Sequence, residues 1–428
     1  MRIVIVGAGL LGLTLGYELA SRGVEVEVLD ARESGLGASA VNAGWIVPAE
    51  AAPVPAPGLI VKSLKWMVHK DSPLYIKPSL DPAHVRFMLR MWRHCNLTDF
   101  RAGYTAHLAL AESTNDILDA YSADGVSFET HSAGLLMAFA DAHNLEHHLP
   151  NLDVPASFGL DPQVLRGDDV REIEPVLRRG LGGGIFFPHE RHLDPVAMMV
   201  SLRRRITEMG GTITENIAID QVERSGEHIA AVHSGPHRFT ADKFVLAAGA
   251  WTGQVTKLFG SPLPIRPGKG YSIDLQPPPV TLRGAINLSD AKVAVTPYDG
   301  RLRLSGTMEF ANLDEVVNEA RVAAIVQAPT RYFDGYVAPS TLPKATAGMR
   351  PMTPDGMPVI GELTGTTNAF VSSGHGMLGL TLAPGTSRAL AGYLLGGPLP
   401  ERLLPFPPAR FTRRNRNAPA KSISGASK

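Results

Sequence analysis

The sequence is poor in cysteine and in net charge. Cys95 is the single cysteine among 428 residues, so no disulfide can form within the chain, which fits a reducing compartment. The 41 Lys and Arg residues balance the 41 Asp and Glu residues. A chain without net positive charge is poorly suited to nucleic acid as its main partner. These two shortages favour a cytoplasmic protein that acts on small molecules.

Long hydrophobic runs are also missing, although 44% of the residues are hydrophobic. No apolar stretch reaches the roughly 18 residues that a membrane-crossing helix needs, while peripheral contact with a membrane surface stays open. The N-terminus is basic and then apolar, as in a signal peptide, but Glu18 interrupts it and no small-x-small cleavage site follows. The length of the chain predicts two domains.

The first thirty residues contain a strand, a glycine turn, a helix, a strand and an acid in that order. The β-branched run RIVIV (2–6) predicts a strand buried on both faces, and GAGLLG (7–12) follows it directly. A helix is predicted over 10–21, and VEVEVLD (24–30) is the second strand. The pattern G-x-G-x-x-G between a strand and a helix indicates a dinucleotide site. A glycine turn without a ligand is the alternative.

The residues of this unit have distinct physical roles. Gly7 allows the tight turn, Gly9 lets the backbone approach a pyrophosphate, and Gly12 lets the helix pack on the strand. The start of the helix offers unpaired N–H groups to the phosphates. Asp30 can accept hydrogen bonds from the adenosine ribose. The unit does not distinguish NAD from FAD, although the small residues GASAVNAG (37–44) could run along a bound diphosphate.

Two later segments repeat the arrangement of a buried strand that runs into small residues. FVLAAGAW (244–251) is the first, and a backbone can approach a cofactor closely there. NAFVSS (368–373) is the second, followed by GHGMLG (374–379) and a predicted helix. Between them, alternating runs over 264–310 predict an antiparallel sheet with glycine-containing turns. Residues 60–125 are predicted to be largely helical, with their aromatic and Met side chains in the core.

The stretch HNLEHH (143–148) offers a metal-binding alternative. His143, Glu146 and His147 fit H-x-x-E-H, the zinc pattern of one metallopeptidase class, and on a helix the two histidines would share a face. A Leu-Pro pair ends the helix at once, however, and no second histidine–carboxylate cluster stands out to supply a third ligand. Histidines in a last helical turn can instead interact with free carbonyls. We therefore favour a solvated helix end without metal and keep a zinc hydrolase as the alternative.

Taken together, the chain resembles the FAD-dependent D-amino-acid oxidase and glycine oxidase family, and within it the bacterial D-amino acid dehydrogenases. The resemblance covers about residues 1–400. It rests on IVIVGAGLLGLTLGYELASRGVEVEVLD, GASAVNAG, FVLAAGAW, KGYS, GMRPMTPDGMPVIG and SGHGMLGLTLAPG. It implies an α/β fold in which a Rossmann-like FAD domain is built from separated segments around an inserted antiparallel substrate domain. The implied division is 1–48, 183–262 and 343–405 for FAD, 49–182 and 263–342 for substrate, and 406–428 as a disordered tail.

The resemblance also implies how the cofactor is held. Non-covalent FAD is expected, because VNAG (41–44) has no histidine or cysteine and Cys95 lies in no matching motif. N–H groups around 377–381 would stabilise the negative charge that develops on reduction. The implied cofactor-binding residues are Gly7, Gly9, Leu10, Leu11, Gly12, Asp30, Ala31, Arg32, Ala38, Ser39, Asn42, Ala43, Gly44, Ala248, Gly249, Gly374, His375, Gly376, Met377, Leu378, Gly379 and Thr381.

Four side chains are candidates for handling the substrate. Arg350 matches the arginine that binds the substrate carboxylate in the family, and a guanidinium can grip a carboxylate with two parallel hydrogen bonds. A structural salt bridge is the alternative. Tyr271 and Tyr298 either line the pocket or are ordinary sheet aromatics. His375 is a candidate general base, although hydride transfer from a neutral amine needs no strong protein base. Met377 stands where some glycine oxidases carry an arginine, which puts glycine or sarcosine in doubt as substrate.

The implied reaction is the oxidative deamination of D-amino acids to 2-oxo acids and ammonia, with hydride passing from Cα to flavin N5. The dehydrogenase branch implies a quinone or another acceptor that is not oxygen. The basic tail could aid contact with an anionic membrane at the inner face of the cell. The nearest alternative is an enzyme for a cyclic or N-methylated amino acid, such as D-hydroxyproline. A protein that binds FAD without catalysis is a further alternative.

Overall fold

The computed structural model describes residues 1–58, 74–77, 79–310 and 312–412. Its strands are β1 Arg2–Val6, β2 Glu25–Leu29, β3 Trp45–Ile46, β4 Leu74–Ile76, β5 Thr130–His131, β6 Leu135–Phe139, β7 Gln163–Arg166, β8 Gly183–Phe187, β9 Arg191–Leu193, β10 Thr212–Thr214, β11 Gln221–Ser225, β12 His228–Ser234, β13 His237–Phe239, β14 Lys243–Leu246, β15 Arg266–Leu275, β16 Ala285–Leu288, β17 Val293–Tyr298, β18 Arg301–Phe310, β19 Ala345–Met352, β20 Val359–Glu362 and β21 Ala369–Ser373. Its α-helices are α1 Leu10–Ala20, α2 Pro82–Arg93, α3 Leu97–Ala111, α4 Thr114–Ala123, α5 Ala142–His148, α6 Asp153–Ala156, α7 Val170–Ile173, α8 Pro195–Glu208, α9 Thr252–Leu258, α10 Glu319–Gln327 and α11 Gly379–Leu394.

Six of the described strands form a sheet in the order β10-β2-β1-β14-β21-β20. The first five run parallel to one another, and β20 is antiparallel to β21. These strands come from three separated stretches of the chain, 2–29, 212–246 and 359–373. The predicted mixed α/β fold, with one sheet built from separated segments, is confirmed, while the boundaries between the two predicted domains stay predictions.

Helix α1 connects β1 to β2 and is buried on almost every side. Ten of its eleven residues are buried, Leu11 being the exception, because α8 and α11 cover the helix away from the sheet. The charge of Glu18 is also buried, and it ion-pairs with Arg22 at 2.7 Å and with Arg388 at 3.0 Å. Pairing of this kind is what makes a buried carboxylate tolerable.

The second large sheet has the order β19-β15-β18-β17-β16-β6-β8-β7, with β4 added beside β18. Neighbouring strands are antiparallel except at the β6–β16 and β4–β18 pairs, so the predicted antiparallel sheet over 264–310 is confirmed. Side chains alternate along each strand. In β15 the positions of Gly270 and Ser272 face the parallel sheet and its loops, whereas Tyr271 faces the core of the second sheet.

The helical region predicted over 60–125 is found only in part. Helices α2, α3 and α4 occupy 82–123, but β4 is a strand where a helix is predicted, because it pairs with β18. Residues 59–73, which include two of the predicted core positions, lie outside the described residues. Trp92 is another predicted core side chain, yet it is 60% exposed. No helix in the described ranges has the length and apolar character needed to cross a lipid bilayer.

The predicted disordered tail, 406–428, begins too early. Phe406 is fully buried in the main core, and Arg410 ion-pairs with Asp355 at 2.7 Å. One large apolar side chain and one ion pair hold the chain against the body of the protein, which the Pro-rich composition did not indicate. The remaining part of the predicted tail, 413–428, lies outside the described residues.

The close packing of α1 on β1 gives a test of the fold. A Cβ added at Gly12 would lie 1.8 Å from the carbonyl oxygen of Gly7, so the first turn of the helix would have to move. We expect Gly12→Ala to reduce the free energy of unfolding by about 2–3 kcal/mol, as overpacking does. The thermal unfolding midpoint of the flavin-free protein should fall by several degrees, and FAD affinity should fall with it.

Gly16→Ala in the same helix is the matched control. A Cβ there would first meet side-chain carbons of Ile206 and Val28, at 3.2 and 3.3 Å, which can shift. Alanine is also favoured over glycine inside a helix by about 1 kcal/mol. The control should therefore change stability little, and equal destabilisation by both substitutions would contradict the packing argument.

Candidate active site

A cavity of about 570 Å³ lies at the carboxyl edge of the parallel sheet, under β15 and β19. The loops after β1, β2, β14 and β21 meet there, because carboxyl ends of parallel strands share one edge. The predicted site residues that line it are Gly7, Gly9, Leu10, Leu11, Asp30, Ala31, Arg32, Ala38, Ser39, Asn42, Ala248, Gly249, Arg350, His375, Gly376, Met377 and Gly379. The predicted residues absent from its lining are Gly12, Ala43, Gly44, Tyr271, Tyr298, Gly374, Leu378 and Thr381.

The glycine turn after β1 forms the floor of the cavity. Gly7 has φ +116°, and a Cβ there would lie 2.5 Å from the carbonyl oxygen of Ala247 at the end of β14. Only glycine lets these two strand ends approach so closely. The hydroxyl of Ser39 accepts the N–H of Leu10 at 3.0 Å, within the first turn of α1. Gly7 and Gly9, which have no side chains, line the cavity directly before this helix.

Asp30 follows β2, and its carboxylate is held at one end of the cavity. One oxygen accepts the N–H of Ala8 at 2.6 Å, and the other accepts the N–H of Arg32 at 2.9 Å. Burial raises the pKa of Asp30 above its ordinary value, and the two N–H groups offset part of that effect. Fixed in this way at the end of the second strand, the carboxylate has the position of a ribose acceptor in dinucleotide-binding folds.

The same end of the cavity has a wall formed by Trp251 and residues 217–219, which the sequence did not predict. The guanidinium of Arg32 lies 4.7 Å from the centre of the Trp251 ring, and both residues line the cavity. Residues 217–219, in the loop after β10, complete the wall. An aromatic residue directly after FVLAAGA was a usable signal for Trp251. No local pattern marks 217–219, because only the sheet order brings that loop to the cavity.

The loop after β21 brings His375 to the cavity. His375 is 2% exposed, its Nε2 lies 3.2 Å from the hydroxyl of Thr386, and its Nδ1 has no hydrogen-bond partner among the described residues. Burial, with a smaller effect from His107, lowers the pKa of His375 to about 3. The imidazole is therefore neutral, and a buried nitrogen without a partner beside a cavity is suited to a bound ligand.

Arg350, on β19, lines the cavity as a cation without a counterion in the part of the chain that the structure describes. Its Nη1 donates to the carbonyl oxygen of Thr307 at 2.7 Å, and the sulfur of Met308 is 3.9 Å away. No carboxylate of a described residue lies within the 4.0 Å that defines an ion pair. Burial lowers the pKa of Arg350 to about 10, so the guanidinium stays charged at neutral pH. A partly buried cation without a partner is stabilised when an anion binds to it.

A strained segment of β18 holds this arginine. Thr307 has φ +67°, in the left-handed region, where the register between β15 and β18 shifts. Such bulges redirect backbone and side chains beside functional sites. A Cβ on Gly270 would lie 2.3 Å from both terminal nitrogens of the Arg350 guanidinium. The bulge thus aims a carbonyl at the guanidinium, and the glycine leaves room for it to lie against the strand.

The two tyrosines predicted to line the pocket do not do so. The hydroxyl of Tyr271 donates to the buried carboxylate of Glu309 at 2.7 Å, on the face of β15 away from the cavity. The hydroxyl of Tyr298 lies 3.1 and 3.2 Å from the carbonyl oxygens of Ala43 and Leu193. The prediction of pocket-lining tyrosines is corrected by this placement, because strand alternation directs Tyr271 away from Gly270. Both are ordinary sheet aromatics, which was the alternative.

The predicted zinc motif lies on α5, outside the cavity. The Nε2 atoms of His143 and His147 are 2.9 Å apart on one face of the helix, as the spacing requires. Glu146 instead ion-pairs with Arg166, and all three motif residues are exposed. In the described ranges, the side chains close enough to form a three-ligand cluster are elsewhere, at Glu129, His131 and Asp299. The motif is therefore part of a solvated helix end.

The cavity fits FAD. At Gly7 and Gly9 the backbone is open to a pyrophosphate at the start of α1, and Asp30 is placed for the ribose. The start of α11, at Gly379, reaches the same cavity, so two helix N-termini converge on it. Their positive dipole ends favour bound negative charge. The unpartnered Nδ1 of His375 adds a buried polar atom that a ligand would satisfy.

Comparison with known proteins identifies the family of this chain and its cofactor. Residues 2–393 match the DAO family, described as FAD dependent oxidoreductase. The chain is 32% identical over 405 residues to a D-amino acid dehydrogenase of Bradyrhizobium diazoefficiens, covering 92% of this chain and 95% of that protein. It is 33% identical over 411 residues to a D-amino acid dehydrogenase of Xanthobacter autotrophicus, covering 94% and 96%.

A solved structure shares the fold at lower sequence identity. The glycine oxidase of Geobacillus kaustophilus matches with a TM-score of 0.73 at 20% identity, over 96% of this chain and 99% of that chain. Identity at this level indicates a common fold alone. The family match, in contrast, spans nearly the whole chain and names the cofactor that the cavity fits. The chain therefore belongs to the DAO family of FAD-dependent oxidoreductases.

Proposed function

We propose that this protein is an FAD-dependent D-amino acid dehydrogenase. In the proposed reaction a D-amino acid loses hydride from Cα and a proton from nitrogen, and the resulting imine is hydrolysed to a 2-oxo acid and ammonia. FAD, held non-covalently, supplies the two-electron acceptor for the hydride. The observation that carries the proposal is Arg350, a partly buried guanidinium in the cofactor's own cavity that has no carboxylate partner among the described residues.

The role proposed for Arg350 is to bind and orient the substrate carboxylate. A planar guanidinium gives a carboxylate two parallel charge-assisted hydrogen bonds, which fix direction as well as position. The carbonyl of Thr307 occupies Nη1 at 2.7 Å and keeps the guanidinium from rotating. A carboxylate held in this way places Cα at a defined height above the cavity floor, which is the positioning that hydride transfer needs.

The roof of the cavity supports this role by its lack of side chains. Gly270 and Gly348 face each other across β15 and β19, and both line the cavity. A Cβ on Gly348 would lie 2.3 Å from a methyl carbon of Val41, so the roof sits directly on the loop after β2. The bare backbone of this roof lets the Arg350 guanidinium lie against Gly270 and lets Val41 lie against Gly348. A larger residue at either position would displace one of these side chains and with it the proposed carboxylate contact.

For His375 we propose a hydrogen-bonding role rather than that of a general base. A base that works near neutral pH needs a pKa near neutrality. Burial lowers the pKa of His375 to about 3, which makes it a weak base. Its unpartnered Nδ1 is suited to a single hydrogen bond with the bound cofactor or substrate. In this proposal the substrate amine reacts in its neutral form without a protein base.

The D configuration and the electron acceptor are supported by relatives. The two similar proteins from Bradyrhizobium diazoefficiens and Xanthobacter autotrophicus are both named D-amino acid dehydrogenase, and each aligns with more than nine tenths of this chain. A dehydrogenase passes its electrons to a carrier instead of oxygen, and we propose a membrane quinone in this role. Peripheral contact with the membrane that contains the quinone is part of the proposal.

An anaerobic substrate screen tests the reaction. The purified protein should be yellow, with flavin absorption near ~450 nm, and acid should release intact FAD. We expect D-amino acids to bleach this absorption, and their L enantiomers, glycine and sarcosine to bleach it far more slowly. Proline and hydroxyproline isomers belong in the same panel. Bleaching by a cyclic or N-methylated amino acid alone would replace the proposed substrate class, and no bleaching by any compound would leave a non-catalytic flavoprotein.

Substitution of Arg350 tests the carboxylate contact. Removal of a charge-assisted bidentate contact should lower kcat/KM by about 30- to 1000-fold. Arg350→Met should keep the flavin spectrum, and Arg350→Lys should lose less, because it retains the charge but not the paired geometry. The matched comparison uses an amine that lacks the substrate carboxylate. Wild-type protein should strongly prefer the acid over this amine, and Arg350→Met should lose most of that preference. An unchanged preference would show that another group binds the carboxylate.

Stopped-flow reoxidation tests the proposed acceptor. Flavin reduced by the substrate should react slowly with air and rapidly with a soluble quinone analogue. Hydrogen peroxide should form in amounts well below the substrate consumed. Rapid reaction with oxygen and stoichiometric peroxide, without a faster reaction with quinone, would make the protein an oxidase.

A further inference from the structure

Helix α2 exposes an apolar stripe that the proposed chemistry does not use. His84, Phe87 and Met91 turn inward, whereas Val85, Leu89 and Trp92 are 43%, 50% and 60% exposed. Positions 85, 89 and 92 are spaced by four and three residues, so their side chains lie on one face of the helix. The helix thus presents a continuous apolar stripe to solvent, ending in a tryptophan.

A row of arginines runs beside this stripe. Arg86, Arg90 and Arg93 each follow a member of the apolar stripe by one residue, and they share a face by the same spacing. None of the three is ion-paired with a described carboxylate, whereas the N-cap residue Asp81 is paired with Arg266 at 2.5 Å. The exposed half of α2 therefore combines an apolar row with a row of unneutralised cations.

The arginine row lines a groove of about 590 Å³ between α2 and the C-terminal segment. Arg86, Arg90 and Arg93 form one wall, and residues 410–412 form the other. The acid in this groove, Asp355, is already bonded to Arg410 at 2.7 Å. The groove therefore has an excess of positive charge, and guanidinium groups bind phosphate in a bidentate manner.

The chain beyond the described residues adds charge of the same sign. Thr412, the last described residue, lies in the wall of the groove. The sequence after it, RRNRNAPAKSISGASK (413–428), contains five Lys and Arg residues and no acid. A basic segment that starts at a basic groove strengthens attraction to an anionic surface.

We propose that the exposed face of α2, with its arginine groove, docks on an anionic phospholipid surface. Val85, Leu89 and Trp92 enter the headgroup–acyl boundary, and the arginine row contacts lipid phosphates. An apolar face beside a basic face, with tryptophan on the apolar side, is the composition of helices that lie in a membrane interface. A second copy of the chain is a poorer partner, because two-fold contact through this face would bring arginine rows together.

The docking face also adjoins the cofactor cavity. A groove of about 670 Å³ on another side of α2 is lined by Arg86, Phe87 and Arg90 together with Ala250 and Gln254. Those last two residues also line the cofactor cavity. A membrane at α2 would thus lie near the proposed source of electrons for its quinone. The docking proposal rests on the proposed quinone acceptor only where it explains why the membrane should lie near the flavin. Lipid binding itself can be measured without substrate or quinone.

Vesicle sedimentation of the FAD-bound full chain tests the surface. The probes are vesicles of phosphatidylcholine alone and of phosphatidylcholine mixed with phosphatidylglycerol. Wild-type protein should bind the anionic vesicles, and added salt should weaken the binding. Replacing Arg86, Arg90 and Arg93 together by Gln should lower the affinity by roughly 100-fold, because each cation near the surface contributes to binding. Dye-coupled activity in solution should be unchanged.

The matched control removes three positive charges elsewhere. Arg178, Arg179 and Arg331 are exposed, lie outside the groove, and should tolerate substitution by Gln with little effect on vesicle binding. A second variant carries Leu89→Ser and Trp92→Ser and keeps the arginines. It should also bind anionic vesicles more weakly than wild-type protein. Added salt should remove a larger fraction of its binding, because the remaining attraction is electrostatic. Deletion of 413–428 should weaken binding without abolishing it.

Three outcomes would overturn the proposal. The first is equal binding by the α2 arginine variant and the control variant. The second is equal binding of wild-type protein to neutral and anionic vesicles. The third is that wild-type protein does not bind vesicles and that Trp92→Ser lowers its sedimentation coefficient. That result would show that this face is a contact between copies of the protein. None of these results depends on which amino acid the enzyme oxidises.

Discussion

The Arg350 guanidinium is partly buried in the cofactor cavity with a backbone carbonyl as its oxygen partner, and the site is arranged around that unfavourable state. Arg303, a fully buried arginine of the same sheet, shows the contrast. Burial alone would lower the pKa of Arg303, but Asp274 raises it above its ordinary value. For Arg350 burial lowers the pKa, and no carboxylate of a described residue offsets that effect. Arg303 is therefore stabilised within the folded chain, while Arg350 remains available to an anionic ligand.

The segment 37–47 connects this arginine's sheet to the parallel sheet. Its Ser39 hydroxyl bonds the first turn of α1, while carbonyl oxygens at Val41, Asn42 and Ala43 accept hydrogen bonds from β15, β18 and β17. One side of the segment lines the cavity, and the other is bonded to the second sheet. This explains why Ala43, a predicted cofactor residue, lies outside the cavity lining. Its backbone joins the floor of the site to its roof.

Sequence patterns predicted those parts of the site that short-range geometry determines. The spacing of glycines between β1 and α1, and the acid at the end of β2, follow from what a pyrophosphate and a ribose require locally. The prediction that Tyr271 lines the pocket was wrong. The sequence shows that side chains alternate along β15, but which face meets the cavity depends on how the sheets pack. Thr307 could not be anticipated, since a positive φ at threonine has no sequence signal. Phe406 was assigned to a tail because Pro-rich composition concealed one deeply buried side chain.

A formal charge of zero describes the whole chain and not its surface. Arg350 lacks a carboxylate partner in the described residues, and so does the arginine row of α2, whereas several other buried or partly buried arginines are paired. The first lies where a substrate carboxylate would bind, and the second lies on the proposed membrane-facing side. Ala250 and Gln254 separate the cofactor cavity from the groove beside α2. Arginines without a described carboxylate partner thus lie at the proposed substrate position inside the cofactor cavity and on the proposed membrane-facing side of α2.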